Sequence, residues 1–91
     1  MSVKIYINRE ILEIFEKIQA EGKTPDEWSE IESDDMFQTK NVVGGYDADE
    51  HAFCFSYYDR DRREYWFQLN LEEIGEILQG KVIDIEGRLA E

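Results

Sequence analysis

The chain has 91 residues, one cysteine and a formal net charge of −12, from 10 Lys and Arg against 22 Asp and Glu. A chain this short is expected to form one domain over residues 1–91, burying about two-thirds of the surface its unfolded form exposes, which is too little for a deep substrate cleft. Lone-cysteine usage, no basic leader and no apolar run near ~20 residues predict a cytoplasmic protein without a membrane segment, and the acidity argues against nucleic acid and anionic membranes as partners.

Val3 to Ile7 alternates apolar and polar side chains, the pattern of a half-buried strand. Asn8 then caps a helix in which Ile11, Leu12, Ile14, Phe15 and Ile18 recur at helical spacing, with Ile7 and Leu12 as a hydrophobic staple and Gly22 at its end. Thr24, Pro25, Asp26 and Glu27 predict a capping box with proline at the first helical position. That second helix is short, because Trp28 and Ile31 are its only strong apolar residues before Ser33, Asp34 and Asp35. Asp26 and Glu27 complement the positive end of the helix dipole, so part of the local acidity has a structural explanation.

Met36 to Val43 predicts the second strand, followed by a bulge or positive backbone angles at Gly44 and Gly45 and a loop over Tyr46 to Glu50. Phe53, Phe55 and Tyr57 alternate with Cys54, Ser56 and Tyr58, and Tyr65, Phe67 and Leu69 with Trp66, Gln68 and Asn70, which predicts a hairpin. Its register follows from its faces. Pairing Tyr57 with Tyr65, Phe55 with Phe67 and Phe53 with Leu69 gathers the apolar side chains on one face and sets Asp59 opposite Arg63. The loop of Arg60, Asp61 and Arg62 then lacks a glycine for its left-handed position, a role assigned to Asp61. Asn70 and Glu73 start a third helix with a Leu69–Ile74 staple, a buried face of Ile74, Ile77 and Leu78, and Gly80 at its end. Lys81 to Glu86 predicts the last strand.

The order β-α-α-β-β-β-α-β defines an α+β domain: one mainly antiparallel sheet of four to five strands, with two longer helices and one short helix on one face. Cys54, Tyr58, Trp66 and Gln68 fall on the other face, where Tyr58 and Trp66 offer a self-association surface for a homodimer. The first or last strand, at an edge of the sheet, offers a second route to self-association.

His51 and Cys54 are the only residues of their types, but three positions apart in a strand they project to opposite faces, which argues against a thiol-imidazole pair. Asp47, Asp49 and Glu50 follow two glycines, a grouping of carboxylates that suggests a calcium loop. Counting such a loop from Asp47, however, puts Ala52 and Tyr58 where its glycine and glutamate belong, and counting from Asp59 puts Glu64 and Asn70 there. Zinc lacks ligands, and Gly44 and Gly45 lack the spacing and lysine of a phosphate loop. Arg60, Arg62 and Arg63 are offset by Asp59, Asp61 and Glu64. No catalytic residues, cofactor or metal are therefore expected, and the chain is read as non-enzymatic.

The charge is localised: residues 1–23 are neutral, 24–59 carry −9 and 60–91 carry −3. Glu30, Glu32, Asp34 and Asp35, with Asp47, Asp49 and Glu50, define an acidic surface, and Trp28 and Tyr46 lie within it as aromatic anchors. The expectation is a small protein-binding module that docks a basic partner through residues 26–50, as an inhibitor or immunity-type protein or a mimic of nucleic-acid charge. The alternative is a homo-oligomeric accessory subunit working through its aromatic sheet face; a plainer role for the charge is solubility.

Overall fold

A computed structural model describes residues 2–31 and 36–90. The elements are β1 (Ser2–Tyr6), α1 (Arg9–Glu21), α2 (Pro25–Ser29), β2 (Phe37–Gln38), β3 (Val42–Asp47), β4 (Ala52–Tyr58), β5 (Glu64–Leu69), α3 (Leu71–Leu78) and β6 (Asp84–Leu89). All six strands join one sheet in the order β1-β6-β5-β4-β3-β2, antiparallel throughout. Strands β2 to β5 run as a meander and α3 leads to β6. α1 and α2 carry the chain from one edge of the sheet to the other, across the face that the helices cover. The α+β class is as expected, with a strand more than the sequence predicted.

The helices start where their local chemistry requires. Asn8 Oδ1 accepts the Ile11 N–H at 2.9 Å, and α1 stops at Gly22, whose φ of 67° is a left-handed conformation that glycine adopts without steric penalty. Thr24 with Glu27, and Asn70 with Glu73, close reciprocal capping boxes at α2 and α3. No helix among the described residues is long and apolar enough to cross a membrane.

The extra strand comes from a turn without glycine or proline. Thr39 N–H donates to the Val42 carbonyl at 2.7 Å, and Val42 N–H donates to Thr39 Oγ1 at 3.1 Å, so the chain reverses over Thr39, Lys40 and Asn41. The predicted strand Met36 to Val43 is thereby split: Phe37 and Gln38 fold back to pair with Gly44 and Val43. Gly44 and Gly45 do not form the expected bulge but sit in regular register with Phe55 and Cys54. Gly44 is needed for close approach, since a Cβ there would overlap the Cys54 carbonyl oxygen and the Phe55 ring.

The β4–β5 register is the predicted one, Phe53 with Leu69, Phe55 with Phe67 and Tyr57 with Tyr65. The left-handed residue of its turn is Arg62, at φ 63°, and not Asp61. The reason is positional: Arg62 N–H closes a turn on the Asp59 carbonyl at 3.0 Å, and the residue after such a turn's centre carries the positive φ. The last strand lies three residues beyond the predicted span, and Ile83 is exposed. Its inward positions are Ile85, Gly87 and Leu89, and the glycine interrupts the apolar alternation by which the strand would be recognised. A Cβ on Gly87 would overlap the Ile5 side chain, so the gap in the sequence pattern is where β1 fits. β6 lies between β1 and β5, which makes β1 and β2 the edges and removes β6 as an edge for self-association.

The core fills the space between the sheet and the helices. Ile11, Ile14, Phe15 and Ile18 of α1, Trp28 of α2 and Ile74 and Ile77 of α3 pack on Ile5, Val42, Tyr46, Phe53, Phe55, Phe67, Leu69 and Ile85. Trp28 is fully buried, edge-on to Phe53 at 5.0 Å and stacked with Tyr46 at 6.3 Å. Tyr46 is also buried, at 4% exposure. Neither ring is therefore a surface anchor, which corrects the expectation for both. In β3 the residues alternating inward are Val42, Gly44 and Tyr46, and in a helix as short as α2 the single large apolar residue is the one the core takes up.

Candidate functional site

The acidic residues singled out in the sequence do not form one continuous surface. Glu32, Asp34 and Asp35 lie outside the described residues. Glu30 is exposed at the end of α2, in the helix layer, whereas Asp47 lines the opposite face of the sheet. Asp49 and Glu50 are exposed in the turn between β3 and β4.

Asp47 also has a structural task. Its Oδ1 accepts the Asp49 N–H at 2.9 Å and the Glu50 N–H at 3.3 Å, holding the turn. Asp59 does the same at the next turn, where Oδ1 accepts the N–H groups of Asp61 and Arg63, each at 2.9 Å. Hydrogen bonds from the Arg63 backbone, more than the guanidinium of Arg63, hold the Asp59 carboxyl below its usual range.

No described residue forms a layer over the face of the sheet away from the helices. Trp66 stands on it, 51% exposed, while its neighbour Phe67 points into the core. A groove of about 920 Å³ runs over this face, with Gly45, Cys54 and Ser56 in its floor and Asp47, Trp66, Gln68, Glu86 and Arg88 around it. Three strand positions are joined through Glu64: Ser56 Oγ and Trp66 Nε1 both donate to Glu64 Oε2, each at 2.7 Å. The bond from Ser56, then that from Trp66, keeps the Glu64 carboxyl below its usual range. At the end of the face Gln68 Nε2 reaches Glu50 Oε2 at 3.5 Å, so the acidic turn borders the groove. Tyr58, the other predicted self-association residue, is half-buried and lies beneath the Arg62 guanidinium, 5.0 Å from its ring centroid. Trp66 is thus the barer of the two rings.

Glu64, Glu86 and Arg88 were missed in the sequence. The hairpin register could have placed Glu64 near Ser56, but Arg88 lies beyond the predicted end of the last strand, and Glu86 and Arg88 border this groove because β6 pairs beside β5. His51 is exposed in the β3–β4 turn at φ 53°, and Cys54 is half-buried in the groove floor. Among the described residues no three His, Cys, Asp or Glu side chains converge to hold a metal ion. Comparison with protein-family models, with curated proteins and with solved structures found no match.

Proposed function

We propose that this protein is a binding module with no catalytic step of its own, and that its uncompensated exposed carboxylates dock a basic protein partner. It would act as an inhibitor does when it occupies a basic groove, or as a mimic of nucleic-acid charge. The supporting observation is the distribution of ion pairs. Among the described residues these are Lys23 with Glu21, and Arg63 with Asp59 and Asp61. The described acids at positions 24–58 take part in none, and Asp49 and Glu50 project from a turn fixed by Asp47. An unneutralised, exposed set of carboxylates accelerates encounter with a cationic surface and makes binding fall with salt. A cytoplasmic location belongs to the same proposal, supported by a chain with a single cysteine and hence no internal disulfide.

The test is capture of basic proteins on the immobilised chain at low salt, compared with Asp49→Lys/Glu50→Lys; Asp47 is left in place because its carboxylate holds the turn. Association of the captured protein should slow about tenfold or more in the variant, with dissociation changed less. Equal capture by both chains would sink the reading. A second reading, a homo-oligomeric accessory subunit, is favoured by the exposure of Trp66. It requires a mass that rises with concentration and that Trp66→Ala returns to the monomer value.

A further inference from the structure

Building on the acidic-module reading above, we infer that the open face of the sheet is an arginine-reading surface, where Trp66 and the Glu64 carboxylate beside it receive a guanidinium-bearing segment of the basic partner. The indole is held in place yet bare. Its single donor is already committed to Glu64 at 2.7 Å, so its edge asks nothing of a ligand and what remains to offer is the ring face, in a side chain 51% exposed. Glu64 is itself pinned from the neighbouring strand by Ser56, through the same oxygen, and its Oε1 accepts no hydrogen bond among the described residues. A planar cation stacked on an aromatic ring, with an N–H directed at an adjacent carboxylate, is a geometry that guanidinium satisfies better than ammonium.

The charge around the groove has the complementary sign. Asp47, Glu50, Glu64 and Glu86 face Arg88 and Lys4, and the register sets Lys4 beside Glu86. Among the described residues none of the four carboxylates is in an ion pair. The remaining negative charge, within a chain of net charge −12, attracts a cationic segment and repels a second copy. The molecule also shows the contact in miniature on the same face. Tyr58 is the register partner of Glu64, and Arg62 lies over its ring.

Arg88 gives the inference a sharp edge. It is the register partner of Trp66, but the cations that lie over rings are Lys23 on Trp28 and Arg62 on Tyr58. Arg88 therefore leaves the indole open while placing a positive charge where the ligand's must arrive, and its removal should strengthen binding.

The experiment is an NMR titration of the full chain at low salt with two probes, (Gly-Arg)4 and (Gly-Lys)4 peptides. The Trp66 indole N–H and the amides of residues 64–68 and 86–88 should shift, while the buried Trp28 indole stays still and reports that each variant is folded. The arginine peptide should bind several-fold tighter than the lysine peptide. Trp66→Ala should weaken it about tenfold and bring the two peptides level, Glu64→Gln should weaken it less, and Arg88→Ala should tighten it. Shifts confined to residues 26–31 and 48–50, equal for both peptides, would overturn the arginine site and leave the acidic module standing. If neither peptide binds at low salt, both fall. A mass that doubles with concentration in the absence of peptide would give this face to a second copy and overturn the inference as well.

Discussion

The two tryptophans stand on opposite sides of one sheet, and their hydrogen bonding is the reverse of their exposure. Trp28 is fully buried among Phe37, Tyr46 and Phe53, yet its Nε1 has no acceptor among the described residues; the hydroxyl of Tyr46, stacked on it, has no partner among them either. Trp66 is half exposed, yet its Nε1 is bonded to Glu64. Buried donors are usually the satisfied ones. The helix-facing side is therefore organised by ring packing, at the expense of polar satisfaction, and the open side by polar ties that leave a ring face over.

The contrast can be broken by truncating each ring. Trp28→Ala should destabilise by about 3–5 kcal/mol, as for a large aromatic removed from a packed core. Trp66→Ala should change stability by less than about 1 kcal/mol, as at a surface position. Urea denaturation of the two variants decides, and equal losses would refute the division of labour. Glycines sharpen it further. Gly44→Ala, which drives a methyl group into backbone of β4, should lose about 1–3 kcal/mol. Gly75→Ala, in α3 with open space around the added carbon, should gain about 0.5–1 kcal/mol in the same assay.

The polar deficit on the packed side makes a smaller prediction. Burial first, and the charge of Asp26 second, push the Tyr46 phenol above its ordinary value. Tyr46→Phe removes the unpaired hydroxyl and should be neutral or stabilising by up to about 1 kcal/mol. A clear loss of stability would mean the hydroxyl has a partner in solution.

Glu10 supplies the smallest effect. Its Oε1 accepts the Asn41 N–H at 2.8 Å and its Oε2 the Asn41 side-chain amide at 3.1 Å, tying α1 to the β2–β3 turn. Burial works against the carboxylate, but hydrogen bonds from Thr39 and Asn41, together with the charge of Lys40, outweigh it and lower the pKa below 4.5. A lowered folded pKa makes the carboxylate stabilising above the unfolded value, and this contribution is lost as pH falls through the folded one. Wild type should therefore exceed Glu10→Gln in thermal stability at pH 7, with the gap closing in acid. A gap independent of pH would show that the charge of Glu10 is not what the tie uses.

The helices were legible because capping chemistry is local: Asn8, Thr24 and Asn70 each find their partner three residues on. The β4–β5 register was legible because a slip would have exchanged every aromatic with a polar residue. What escaped was carried by long-range fit. Thr39 to Asn41 turns the chain without glycine or proline, Gly87 replaces an inward apolar residue where Ile5 needs room, and His51 and Arg62 take left-handed positions usually marked by glycine. The site shows the same limits. Alternation alone placed Trp66 outside, whereas the sequence neighbourhood of Trp28 and Tyr46, rich in acids, suggested a surface that is denied to Tyr46 by the inward parity of β3 and to Trp28 by its place as the one large apolar residue of α2. The link from Ser56 to Glu64 to Trp66 crosses strands and shows only when the β4–β5 register is applied to the polar face as well as to the aromatic one.

The sheet is closed by its most distant residues, since β1 pairs only with β6, Ser2 opposite Arg88. The meander from β2 to β5 forms between neighbouring segments, whereas the β1–β6 pairing joins strands separated in sequence by the three helices and the whole meander. Val3 and Ile5 therefore gain their sheet neighbours through the pairing of greatest sequence separation, the kind that carries the largest loop-closure cost.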